Sequence, residues 1–170
     1  MTERNTALFD QIADLIEADP TRYDQETYGD GDNGLQDLVV DDKVLHCGTA
    51  HCIAGWAAVA EGYYPVINPY GPSWSVVSRT PGVDIKDRTL FQDVDLVAAN
   101  LLGLDLSEAY TLFDSDWLPE SIRDLEDPNY WYESDNQHFD PEADKVYRAT
   151  VAKAVADELR AIGRGKEIIR

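Results

Sequence analysis

One long segment of this chain is almost free of charged residues. Between Val44 and Ser78 the only Asp, Glu, Lys or Arg is Glu61, although the chain of 170 residues has a formal net charge of −19. A strongly acidic protein keeps charge out of a segment mainly where that segment forms core or contact surface. The segment therefore marks the centre of the fold, and the rest of the chain has to be arranged around it.

A helix is predicted inside this segment, over residues 50–61. Thr49 is a suitable N-cap, and Gly62 is a suitable residue to follow the last turn. The side chains between them are apolar on nearly every side: Ile53, Trp56, Ala57, Val59 and Ala60, with the small residues Gly55 and Ala58. A helix that is apolar all round is typical of the interior of a protein.

Helical periodicity and capping signals predict further helices. An amphipathic stripe runs through residues 3–18 and is followed by Pro20. Asp93 and Gly103 bound another helix, and a shorter one follows near residues 107–113. Asp140-Pro141-Glu142 begins a long helix that continues to Gly163, with bases near its end that suit the helix dipole.

The remaining chain has no helical period. Residues 63–90 contain four prolines and predict an ordered loop with short strands. Residues 38–45 are consistent with a short strand pair or with an extended entry to the central helix. The sequence therefore predicts a mainly α fold: a single compact helical domain over residues 1–170 with a central buried helix, long ordered loops and a short β-hairpin.

Composition indicates a cytoplasmic protein. The longest apolar run, Ile53 to Ala60, is much shorter than the roughly 20 residues of a membrane span. The first residues lack the basic and apolar pattern of a secretory signal. Without such a signal, the two cysteines are expected as reduced thiols.

Both cysteines and two of the three histidines lie close together, as His46, Cys47, His51 and Cys52. All four are good zinc ligands, so zinc is the one cofactor that the sequence supports, although none is required. Structural zinc sites usually combine two separated ligand pairs, whereas these four lie within seven residues. The alternative is that Cys52, in the first turn of the central helix, is a nucleophile with His46 or His138 as its base. The third interpretation is a small buried side chain at a helix start.

The charge is unevenly distributed along the chain. Residues 1–147 carry 30 acids and 8 bases, whereas residues 148–170 carry 3 acids and 6 bases. Such a surface repels nucleic acid, so direct nucleic-acid binding is not expected. It is compatible with solvation in a salt-rich cell, or with mimicry of nucleic acid that attracts a basic protein. Aromatic side chains dominate interface hot spots, so the predicted contact residues are Tyr130, Trp131, Tyr132 and Asp135.

The run Cys47-Gly48-Thr49-x-x-Cys52-Ile53-Ala54-Gly55 resembles a motif of a poorly characterised group of small bacterial and phage-encoded proteins. In that group an amphipathic helix precedes the motif, and a Leu-Gly-Leu and a later Leu-Phe follow it. Here these are Leu102-Gly103-Leu104 and Leu112-Phe113. The resemblance covers residues 5–115 with gaps. It implies a cytoplasmic, mobile-element context and no particular chemistry.

These observations favour a non-enzymatic, acidic protein-binding protein, acting as a phage or mobile-element accessory factor on a basic or nucleic-acid-handling partner. The alternative is a small cysteine- or metal-dependent enzyme that uses Cys52 and His138.

Overall fold

The computed structural model describes residues 3–20, 52–65, 76–80, 86, 89, 92–114, 117–123, 125 and 141–169. Its helices are α1 (Thr6–Ala18), α2 (Ile53–Ala60), α3 (Val94–Leu102), α4 (Leu106–Leu112) and α5 (Pro141–Gly163), with a 3₁₀ turn at Glu120–Ile122. Strands β1 (Tyr64–Pro65), β2 (Val76–Ser78) and β3 (Gln92–Asp93) form an antiparallel sheet in the order β1-β2-β3. The predicted mainly α fold is confirmed.

The predicted central helix is α2, and it is buried. Every residue from Ile53 to Ala58 is buried, and the helix packs against α3 and α1. Its start differs from the prediction, because α2 begins at Ile53 and its N-cap is Cys52. The backbone of Cys52 is extended (φ −72°, ψ 177°), so helical hydrogen bonding begins with the amide of Trp56, which donates to the Cys52 carbonyl at 3.0 Å.

The longest helix, α5, packs along α1, more than 120 residues away in sequence. Buried apolar side chains line both helices: Leu8, Phe9, Ile12 and Ile16 on α1, and Val155, Leu159 and Ile162 on α5. Full burial of one such side chain stabilises a fold by about 1.5–3 kcal/mol. Near the end of α5 the helices approach closely at Gly163, where an added Cβ would lie 2.8 Å from the Cβ of Phe9.

Arg4, Asn5 and Thr6, at the start of α1, connect this helix to the ends of α3 and α5. The side-chain amide of Asn5 donates to the carbonyl of Leu101 in α3 at 3.1 Å, and the Thr6 hydroxyl donates to the carbonyl of Gly163 at 2.7 Å. Arg4 donates to the carbonyl of Ile162 in the last turn of α5 at 2.7 Å, and also to that of Lys166 beyond the helix. Carbonyls in the last turn of a helix have no intrahelical partner, so these contacts satisfy acceptors that the helices leave open.

The predicted boundary residues of α3, Asp93 and Gly103, are both confirmed. The Asp93 carboxylate accepts hydrogen bonds from the amides of Asp95 (3.0 Å) and Leu96 (3.3 Å). Gly103 follows the helix in the left-handed conformation, with φ at 71°. The short helix near residues 107–113 is α4, and a reciprocal capping box of Asp105 and Glu108 begins it.

Two short strands, β1 and β2, lie within the predicted loop 63–90, and β3 just beyond it directly precedes α3. The predicted strand pair at 38–45 lies outside the described residues. Within the described ranges, no helix combines the length and the apolar character needed to cross a membrane.

Candidate functional site

Cys52 is the candidate functional residue that the structure describes. It lies at the N-terminus of α2 with an exposed fraction of 1%. The sulfur is therefore enclosed by the hydrophobic core, and no substrate can reach it without local opening of the fold.

Burial raises the pKa of the Cys52 thiol to about 12. Desolvation is the largest cause, and the negative charge of Asp95 acts in the same direction. The backbone amides of Gly55 and Ala54 at the helix start act in the opposite direction, but they do not compensate for burial. Since the thiolate is the nucleophile and the metal ligand, Cys52 is in its unreactive protonated form at neutral pH.

The other predicted site residues lie outside the described part of the chain. This applies to the zinc candidates His46, Cys47 and His51, to the candidate base His138, and to the contact residues Tyr130, Trp131, Tyr132 and Asp135. Zinc binding and the pairing of Cys52 with His138 therefore stay predictions. Among the residues that are described, no three His, Cys, Asp or Glu side chains converge on a possible metal position.

The basic C-terminal part of the chain does not form a basic patch. Arg160 donates to the carboxylates of Asp14 and Glu17 on α1, both at 2.6 Å, and Arg164 donates to Asp10 at 3.1 Å. The pKa of Arg160 is raised, chiefly by the hydrogen bonds to Glu17 and then Asp14. The sequence predicts that these bases suit the dipole of the helix. Arg160 does lie in the last turn of α5, and Arg164 also donates to the Arg160 carbonyl at 2.7 Å, so the contacts with α1 are made in addition.

Other cations of the described chain are also paired with the protein's own acids. The ion pairs are Arg4 with Glu108, Arg148 with Asp144, Lys153 with Asp157, and Lys166 with Glu158. Arg79 instead lies over the ring of Tyr63, 4.1 Å from its centroid, and donates to the Glu61 carbonyl. Most of the described Lys and Arg side chains are therefore paired with acids of the same chain.

A shallow groove of about 600 Å³ lies between the 3₁₀ turn and α5. Apolar side chains line part of it, including Ile122, Val146 and Ala154. Lys153 is paired with Asp157 at 3.0 Å on the same wall. Glu158 also lines the groove, so its charged side chains are two acids and one base.

Comparison of the chain with protein-family models, with curated proteins and with solved structures gives no match. Functional inference for this protein therefore depends on its own residues.

Proposed function

We propose that this protein acts by binding another protein, without catalysis, and that its partner carries a basic surface. The observation that carries the proposal is the internal pairing of cations described above. Arg160, Arg164 and Lys166 are held by acids of the same chain, so we expect the charge that is available to a partner to be negative, in keeping with the net charge of −19. Charge of one sign over a surface steers a partner of opposite sign and accelerates its association.

The state of Cys52 supports a non-catalytic role. A cysteine nucleophile requires a lowered pKa and access to substrate. Cys52 has a pKa raised to about 12 and an exposed fraction of 1%. Both properties are typical of a structural cysteine in a hydrophobic core.

The resemblance of the Cys47–Gly55 motif to phage-encoded and bacterial proteins favours an accessory factor of a mobile element. In that context the basic partner is a nucleic-acid-handling protein, whose phosphate-binding surface would meet carboxylates in place of phosphates. Direct contact of this chain with nucleic acid is disfavoured by its net charge of −19.

The proposal is tested by capturing partners on the immobilised full-length protein and measuring the affinity of the purified partner at several salt concentrations. We expect a partner with a basic surface, and a Kd that rises at least about tenfold between roughly 50 and 500 mM NaCl, because salt screens exposed charges. Sucrose at matched osmolality is the control, since it does not screen charge.

Two results would contradict the proposal. A Kd that is indifferent to NaCl would exclude electrostatic recognition. A turnover activity that is lost in Cys52→Ala, with folding intact, would show that the protein is an enzyme.

A further inference from the structure

The guanidinium of Arg4 is held by acceptors from two other parts of the fold. It donates to the carbonyls of Ile162 and Lys166 at the end of α5, and to the carboxylate of Glu108 on α4. Only 15% of the Arg4 side chain is exposed. A guanidinium is a planar group with five N–H donors, so acceptors arranged around it recognise its shape as well as its charge.

The electrostatics of this position favour a cation. The C-terminal end of an α-helix carries a partial negative charge, and Glu108 adds a carboxylate with an exposed fraction of 30%. The second carboxylate oxygen of Glu108 accepts from the Asp105 amide at 3.0 Å, so the capping box of α4 fixes the side chain. The acceptors are therefore in place independently of the segment that carries Arg4.

A polar cleft of about 450 Å³ is lined by Arg4 and Glu108. Gly165 also lines it, and an added Cβ there would meet no atom within 4 Å. The second cation of the lining, Arg164, is paired with Asp10. The acceptors of Arg4 are thus next to open space, through which a second arginine can approach.

Arg4 belongs to a short segment, residues 3–5, that precedes the first helix. This segment is not part of a helix or strand, and α1 begins at Thr6. The amide of Asn5 donates to the carbonyl of Leu102 in α3 at 3.0 Å. Arg4 therefore reaches its acceptors as the arginine of a docked peptide would.

We propose that α4 and the end of α5 form a binding site for the arginine side chain of a peptide, and that Arg4 occupies this site from within the same chain. An arginine supplied by another molecule competes for the same acceptors. It competes against a tethered group, whose effective concentration is about millimolar. The inference does not depend on the proposed function, because it concerns these acceptors and not the net charge.

The test removes the internal ligand and supplies it from outside. Nα-acetyl-L-arginine amide is titrated into Arg4→Ala, and binding is followed by the amide chemical shifts of Glu108 and of residues 162–166. The control ligand is Nα-acetyl-L-lysine amide, which has the same charge without the planar fork. The control variant is Arg148→Ala, which removes a more exposed arginine (46%) that is paired with Asp144.

We expect the arginine amide to bind Arg4→Ala saturably. It should bind the wild type and Arg148→Ala at least about tenfold more weakly, because Arg4 fills the site in both. The lysine amide should bind Arg4→Ala at least about tenfold more weakly than the arginine amide. Binding should fall by a similar factor in Arg4→Ala/Glu108→Gln, since glutamine still completes the capping box but carries no charge.

If Arg4→Ala is unfolded on its own, the arginine amide should restore its helical circular dichroism, because a ligand of the folded state stabilises that state. Equal binding of the two amides would overturn the site, as would the absence of both saturable binding and recovered folding. Neither result bears on the proposed function, which depends on the salt dependence of partner binding. A partner affinity that is indifferent to salt would, conversely, leave this site standing.

Discussion

Cys52 lies at a helix N-terminus, a position that ordinarily stabilises a thiolate. In this protein burial is the stronger effect, because the exposed fraction of Cys52 is 1% and its pKa is raised to about 12. The sequence places Cys52 near the start of an apolar helix, which allows either a reactive or a structural role. Only the packing of the other helices around the sulfur determines which effect on the pKa is larger.

At the residue scale, this pKa predicts how stability depends on alkaline pH. Unfolded Cys52 ionises near its ordinary value of 9.0, whereas the folded thiol stays protonated up to about pH 12. The protonated Cys52 thiol therefore contributes fully to the free energy of unfolding below pH 9. This contribution is lost as pH rises from there to about 12, by up to about 1.4 kcal/mol per pH unit. Urea unfolding should show that the free energy of unfolding of Cys47→Ala falls between pH 8 and pH 10. This fall should be about 1 kcal/mol larger than that of Cys47→Ala/Cys52→Ala.

The Cys47→Ala background leaves Cys52 as the only cysteine, so a thiol reagent reports on it alone. Native protein at neutral pH should react far more slowly than urea-unfolded protein. Rapid reaction of the native protein, with a rate that titrates below pH 8, would contradict the buried, protonated state and support the enzymatic alternative.

At the scale of elements, α2, α3 and α5 end in the same way. In α2 the amide of Gly62 donates to Val59 at 2.9 Å and that of Tyr63 to Ala58 at 3.0 Å, which is the Schellman pattern. The same pattern recurs at Gly103 and Gly165, and all three glycines have positive φ. Such ends can be predicted from sequence because they depend on residues within one or two turns of each other.

Gly103 and Gly62 should differ in their tolerance of substitution, although both have φ above +70°. At Gly62 an added Cβ meets no atom within 4 Å. Gly62→Ala should therefore lower the free energy of unfolding only through the strain of alanine in the left-handed conformation, about 1–2 kcal/mol. At Gly103 the Cβ would also overlap the backbone carbonyl of Glu3. Gly103→Ala should therefore cost about 1–3 kcal/mol more, measured by urea unfolding of both variants.

Gly62→Ala is the matched control, since it has the same backbone strain without the steric overlap. Equal costs for the two substitutions would mean that the residues before α1 do not pack on the end of α3 in solution.

At the scale of the whole molecule, the pairing of α1 with α5 determines the charge distribution. The bases of residues 148–170 form a local positive excess in the sequence, which alone would predict a basic region. In the fold, Arg160 and Arg164 lie beside Asp10, Asp14 and Glu17 of α1. In the described part of the fold, the local positive excess of the sequence is therefore matched by acids of α1.

The excess of acids predicts that salt stabilises the protein. With a net charge of −19, repulsion between carboxylates should outweigh the exposed ion pairs between α1 and α5, which individually contribute only about 0–1 kcal/mol. Raising NaCl from about 20 to 500 mM should increase Tm by about 5 °C, equivalent to roughly 1–2 kcal/mol. Differential scanning calorimetry at matched pH provides the measurement, and a Tm that falls with added salt would contradict this balance.

The sequence by itself determined the helices, because periodicity, caps and terminal glycines act over a few neighbouring residues. Asp93 and Gly103 bound α3 as predicted, and residues 53–58 are buried as their lack of polar side chains requires. The start of α2 and the exposure of Leu106 and Tyr110 were not predictable in this way, since each depends on which surfaces pack together. Only the tertiary structure decided that α5 neutralises α1 and that Cys52 is desolvated, because both effects arise between groups that are distant in the chain and adjacent in space.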